Sequence, residues 1–300
     1  MSHKKGTKTS SFGVSKREGH DSSQFYNSKL YEGKTNKTSE IKRHIERTIS
    51  EENLNKTFCK SSEKMDELPN NSIHLMVTSP PYNVTKEYDD NLTLKEYLGL
   101  LRRVFRETHR KLVVGGRVCI NVANLGRKPY IPLNSYITQI MLRIGFLMRG
   151  EILWNKSASS GTSTAWGSWK SAVNPTLRDV HEYILVFSKG DFSRKRDNKE
   201  NTCTKDEFLE LTKSIWSFPT ESARQIKHPA PFPVELPYRC IQLYTFKGDI
   251  ILDPFMGSGS TALAALKTGR YFIGYEINKE YVQIAESRIK KARAQLKLWE

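Results

Sequence analysis

The chain has 300 residues, 37% hydrophobic and 27% charged, and its 48 Lys and Arg against 32 Asp and Glu give a formal net charge of +16. That length suits one large α/β domain with an inserted recognition region, and a mean hydropathy of −0.57 with no apolar span excludes a membrane protein. The first 30 residues also lack the apolar core of a secretory signal, so a cytoplasmic protein is expected.

The basic excess favours a polyanionic partner, bound in a strongly salt-dependent way. Four cysteines, Cys59, Cys119, Cys203 and Cys240, are far apart with no CxxC spacing, which argues against structural zinc and a disulfide framework.

From the amino end, residues 1 to 50 carry eleven Lys and Arg against five acids among Ser, Thr, Asn and Gly. They read either as a poorly ordered, flexible tail or as an arm that follows phosphates. Beyond Leu54 the pattern becomes regular. NKTFC predicts a short strand, SEKMDEL a helical turn ending near Pro69, and IHLMV a strand running into TSPPYNV, Thr78 to Val84. Leu94, Tyr97, Leu98, Leu101, Val104 and Phe105 recur at helical spacing, and Gly115-Gly116 is expected to end that helix before a strand RVCINV. Ile137, Ile140, Met141 and Ile144 mark another helical face, and EILW and EYILVF read as strands. Val234 to Phe246 reads as a helix, IILD as a buried strand, TALAALKTG as a helix closed by Gly269, and YFIGYEI as a strand. A basic helix from about Lys279 to Trp299 follows. This alternation predicts a doubly wound, mostly parallel sheet, in which loops distant in sequence meet at the carboxyl edge.

Two segments carry chemistry. In TSPPYNV a flat aromatic sits beside rigid backbone carbonyls, a combination suited to gripping a planar base swung out of a duplex. Ser79 Oγ and the Pro80 carbonyl can accept from an exocyclic amine as positive charge develops on its nitrogen. Pro80 and Pro81 aim that carbonyl, Tyr82 can stack on the base, and Asn83 either binds DNA or stabilises the turn. The second segment, residues 251–277, reads as strand, glycine-rich turn, helix and strand, ending near Glu276. It fits a nucleoside-containing cofactor whose ribose is held by an acid. Gly257, Ser258 and Gly259 permit close backbone approach, and Ser260 and Thr261 can open the helix. Spacing alone leaves NAD open, although GSGST departs from GxGxxG.

Together SPPY and DPFMGSGST resemble the DNA amino-methyltransferases that use S-adenosylmethionine, in the permuted (beta) class where the catalytic motif precedes the cofactor motif. The resemblance covers roughly residues 54 to 288. It implies a Rossmann-like sheet of the seven-stranded methyltransferase type with inserted DNA-recognition loops, occupying residues 51–300. It further implies Ser79, Pro80, Pro81 and Tyr82 at the reacting base. Asp253, Phe255, Gly257, Ser258, Gly259 and Ser260 would then lie along S-adenosylmethionine, with Glu276 on its ribose. HPAPFPVELPYRCI, His228 to Ile241, would shape the cofactor pocket through Pro229, Pro231, Phe232 and Pro233. In CKSSE, Ser61 stands where relatives carry an acid and is the candidate adenosine contact.

SPPY rather than DPPY resembles the cytosine-N4 enzymes more than the adenine-N6 enzymes, so N4-methylcytosine in a specific duplex sequence is the expected product and N6-methyladenine the alternative. Carbon-5 methylation is argued against because no cysteine follows a proline. The implied setting is a prokaryotic cytoplasm, with the protein held at the nucleoid by double-stranded DNA and serving a restriction endonuclease without a stable complex. A non-catalytic nucleic-acid binder on the same fold is the rival class.

For DNA contact, residues 155–179 and 189–213 are candidate recognition regions. In the first, Lys156, Lys170 and Arg178 can approach phosphates, and Trp166 or Trp169 can stack or wedge; the competing reading is a packed loop on the cofactor side. Arg127 and Lys128 either touch the duplex backbone or belong to a structural loop. Lys279 and Arg288 read as a solvated helix face. His181 and Glu182 are adjacent on a strand and so face opposite ways, a poor metal pair; no metal is expected.

Overall fold

Short apolar runs build one eight-stranded sheet in the computed structural model, which describes residues 7–8, 20–21, 26–32, 45–82, 92–156, 167–221 and 233–296. Contacts divide the chain into two units, 1–42 and 43–300. In the first, Thr7–Lys8 pairs in parallel with His20–Asp21, and Lys29–Tyr31 forms a single 3₁₀ turn.

The larger unit runs β1 (Lys56–Phe58), β2 (Ile73–Thr78), α1 (Leu94–Lys111), β3 (Leu112–Val122), α2 (Leu133–Ile144), β4 (Phe146–Asn155) and β5 (His181–Lys189). It continues with α3 (Lys205–Leu211), β6 (Ile215–Ser217), α4 (Glu235–Tyr244), β7 (Ile250–Asp253), α5 (Ser260–Lys267), β8 (Tyr271–Tyr275) and α6 (Lys279–Leu296). The strand order is β1-β8-β7-β2-β3-β5-β4-β6, and β5 alone is reversed. All six residues of β2 are buried, as expected of a strand covered on both faces. Met76 meets Leu101 and Val104 of α1 and Ile137 of α2 in one core. Leu75 and Val77 face the other, with Cys240 of α4, Ala262 of α5 and Ala285 of α6. Alternate side chains of one strand thus fill two cores.

From β7 the chain proceeds through α5 to β8 on one side, whereas from β2 it proceeds through α1 to β3 on the other. The neighbouring carboxyl ends of β2 and β7 therefore flank a topological switch point, where ligands of such sheets bind. Reversal of β5 brings its first residues, His181 and Glu182, to that same edge.

Three local expectations are corrected. SEKMDEL forms turns rather than a helical turn: Met65 N donates to Glu107 Oε1 at 3.2 Å, and Lys111 Nζ donates to the Leu68 carbonyl at 2.7 Å. Side chains of α1 thus satisfy a backbone donor and a backbone acceptor of this segment. Gly115-Gly116 lies inside β3 instead of ending α1. There the register jumps from Ile73 opposite Leu112 to Leu75 opposite Arg117, and Gly115 adopts φ 77° where a Cβ would come 2.1 Å from the Ser193 carbonyl oxygen. Finally, the larger unit extends ahead of residue 51, because Ile49 joins the core and Glu46 Oε2 lies 3.3 Å from His74 Nε2.

Candidate active site

Two strand ends are tied together by one carboxylate. Asp253, the last residue of β7, accepts from Thr78 Oγ1 of β2 at 2.7 Å and from Thr261 Oγ1 of α5 at 2.6 Å. It also accepts from Phe255 N at 3.1 Å. Its side chain is fully buried and its oxygens are occupied by protein donors, so near a ligand this position offers chiefly backbone. Burial raises the Asp253 carboxyl to about 6 from 3.8, and the three donors offset that only in part.

The sign of the consequence follows from proton uptake. The folded state holds this proton more tightly, so the group's stabilising contribution is full below pH 3.8 and is lost as pH rises through about 6. The difference is worth about 3 kcal/mol. We expect Asp253→Asn to flatten that part of the stability curve relative to the parent, measured by denaturant midpoints from pH 4 to 7. An unchanged slope would show that Asp253 titrates normally.

The glycine turn follows directly. Gly257 and Gly259 have φ 51° and 84°. At Gly259 a Cβ would lie 3.1 Å from Ala285 Cβ, so α5 and α6 pack closely only over glycine. Glu276, just beyond β8, accepts from Gly257 N and Asn278 N at 2.9 Å each, while its own N–H donates to the Phe58 carbonyl at 3.0 Å. Burial raises its carboxyl above the ordinary range, opposed by these backbone donors. Arg288 is no solvated face residue: its Nη1 donates to the Ser258 carbonyl and Oγ at 2.7 and 2.9 Å, pinning the turn from α6. Ser260 Oγ, at the amino end of α5, is buried and has no hydrogen-bond partner among the described residues. A half-buried acid, an unsatisfied hydroxyl and a helix amino end together fit a nucleoside carrying a polar tail. Phe255 is half-buried against the core. Ser61 is exposed, and its hydroxyl donates to Glu63 Oε2 at 3.3 Å. Pro233 is buried; His228, Pro229, Pro231 and Phe232 fall outside the described residues.

Beside this turn, Pro80 is buried and Ser79, Pro81 and Tyr82 are half-buried. Ser79 Oγ lies 3.4 Å from Tyr82 Oη and accepts from Asn121 Nδ2 at 3.4 Å. Tyr82 Oη accepts from Ala123 N and donates to Glu182 Oε2, both at 3.2 Å. Glu182 also accepts from Asn121 Nδ2 at 2.5 Å and from Lys156 Nζ at 2.6 Å. Burial first, then the Glu182 charge, pushes the Tyr82 phenol well above its ordinary range. The sequence reading passed over Asn121 and weighed Glu182 only as a metal ligand. Their only signal was topological, since a reversed strand is needed to bring Glu182 level with the end of β3.

The basic candidates have separate fates. Lys156, expected near phosphates, is drawn into the site by its ion pair with Glu182. Arg127 pairs with Asp179 at 2.6 Å, while Lys128 and Arg178 are exposed. Lys170 lies over the ring of Trp169 at 5.7 Å, and Trp169, Val173 and Leu177 are exposed apolar side chains of one loop. Within 189–213, Arg194 and Lys199 bind Asp249 at 2.6 and 3.3 Å. Asp249 precedes β7, so these cations are held at the edge opposite Ser79. That segment also contains α3, capped by Thr204 and Glu207, a reciprocal pair that the sequence reading passed over. Asn83 and Trp166 fall outside the described residues.

Known proteins resemble the chain in sequence and fold. The chain is 33% identical over 270 residues to the type II methyltransferase M.MjaI of Methanocaldococcus jannaschii, covering 76% of this chain and 88% of that one. It is 29% identical over 240 residues to the DNA adenine methyltransferase YhdJ of Escherichia coli, covering 75% and 79%. The structure of TTHA0409 from Thermus thermophilus, complexed with S-adenosyl-L-methionine, superposes with a TM-score of 0.64 at 29% identity over 79% of this chain and 93% of that one. A family model described as DNA methylase matches residues 73–287, and with the switch-point site just described the chain belongs to that N6/N4 DNA methylase family.

Proposed function

We propose that this S-adenosylmethionine-dependent DNA methyltransferase acts on the N4 amine of a flipped cytosine in a specific duplex sequence. The observation that carries the reading is the 2.7 Å bond from Thr78 to Asp253, which sets the SPPY corner beside the glycine turn. Glu276 would hold the ribose hydroxyls of S-adenosylmethionine, and the amino end of α5 with Ser260 its methionine end. The bound cofactor supplies an electrophilic methyl group. Ser79 Oγ and the Pro80 carbonyl would accept hydrogen bonds from the target amine, drawing its lone pair out of conjugation as the N–C bond forms, the methyl's bond to the cofactor sulfur breaks to leave a thioether, and the methylated nitrogen gives up a proton to solvent. Tyr82, anchored through its hydroxyl, would stack on the extruded base.

Cytosine is preferred because Ser79 stands first in the motif. Adenine N6 is the second reading, favoured by the likeness to a DNA adenine methyltransferase. The exposed loop around Trp169 would approach the duplex, with Lys128, Lys170 and Arg178 near phosphates. The type II name of M.MjaI motivates a role as the modification half of a restriction system, the endonuclease acting separately.

Duplex DNA treated with enzyme and cofactor, digested to nucleosides and resolved by mass, should yield N4-methylcytosine. Exclusive N6-methyladenine would transfer the assignment to adenine, and loss of activity should be steep with added salt.

A further inference from the structure

We infer that Glu182 is a positioning residue that fixes which way the hydroxyl of Ser79 points, presenting a lone pair to the target amine. This rests on the methyltransferase reading above and adds a residue to it. The argument is one of hydrogen-bond direction. An ionised carboxylate accepts only, and Glu182 is surrounded by three donors: Lys156 Nζ on Oε1, with Asn121 Nδ2 and Tyr82 Oη on Oε2.

Tyr82 has one hydroxyl proton, and Glu182 takes it. The raised phenol keeps that proton in place. The lone pairs of Tyr82 Oη then receive Ala123 N and, among the described residues, Ser79, which must be the donor in their 3.4 Å contact. Ser79 Oγ therefore has its proton turned toward Tyr82 and one lone pair filled by Asn121 Nδ2 at 3.4 Å. Its second lone pair is left to accept from an amine. Without an acceptor-only group at the end of the chain, the Tyr82 proton is free to turn to Ser79, and Ser79 can then point its own proton at the amine it must accept from. Lys156 completes the device by neutralising Glu182 where it is mostly withdrawn from solvent.

Glu182→Gln keeps the shape but places an amide donor at the end of the chain. We expect single-turnover methyl transfer to slow by about 10²-fold, the scale of a misoriented reacting group, with affinities for S-adenosylmethionine and DNA within about twofold of the parent. Glu182→Asp, which retains the charge, should recover part of the rate. The decisive readout is coupling. If Glu182 acts through Ser79, the Ser79→Ala/Glu182→Gln double variant should be no slower than Ser79→Ala alone. Losses that multiply, or a Glu182→Gln rate equal to the parent's, would overturn the inference. Should Glu182→Gln fail to fold, Tyr82→Phe keeps the ring, breaks the chain at its middle and must show the same coupling to Ser79. Absence of methyl transfer by the parent on all duplex DNA would count against the functional reading itself.

Discussion

Ser79→Ala is expected to reduce the single-turnover rate of methyl transfer by about 10²-fold or more, the loss found when one preorganised hydrogen-bonding group facing developing charge is removed. The amine is a poor nucleophile while its lone pair is conjugated with the ring, and it becomes positively charged only as the new bond forms. An acceptor at Ser79 is therefore worth more in the transition state than in the bound ground state. Cofactor affinity should barely change, since the hydroxyl contacts Tyr82 and Asn121 and not the glycine turn. The variant should fold, because Ser79 is half-buried and its neighbours keep other partners: Tyr82 retains Ala123 and Glu182, and Asn121 retains Glu182. Rapid-quench measurement with labelled cofactor, beside calorimetric titration of cofactor alone, separates the two effects. A rate within about threefold of the parent would move the accepting role to the Pro80 carbonyl.

Glu276→Ala should weaken S-adenosylmethionine binding by about 10²- to 10⁴-fold, because hydrogen bonds to a charged acceptor are each worth about 1.5 to 3 kcal/mol and a ribose offers two hydroxyls. Part of the loss comes from the protein itself. Gly257 N–H and Asn278 N–H both donate to this carboxylate, so its removal releases the turn as well as the ligand. Glu276→Gln distinguishes the contributions: it keeps one oxygen for the backbone but loses the charge, and its affinity should fall between those of the alanine variant and the parent. DNA affinity measured without cofactor should stay close to the parent's in both variants. An unchanged cofactor dissociation constant for Glu276→Ala would exclude the ribose role.

Most strands and helices from Ile73 onward, though not α3 and β6, were legible in the sequence, as were the glycine turn after IILD and the pairing of an SPPY corner with a nucleoside-type motif. These are local properties: apolar period, a left-handed turn that favours glycine, and a proline-fixed backbone leave their mark within a few residues. SEKMDEL shows the limit of that logic: Met65 and Leu68 have helical spacing, yet the segment forms turns, with Met65 N and the Leu68 carbonyl held by Glu107 and Lys111 some forty residues away. It took the packed chain to show that the carboxylate of Asp253 ties β7 to β2 through Thr78, that Arg288 pins the glycine turn, and that Lys156 turns inward to Glu182. The network of Ser79, Tyr82, Asn121 and Glu182 draws on three strand ends, one of them reversed. Strand order and direction are set by how whole elements cover one another's apolar faces, which no short stretch of the chain encodes.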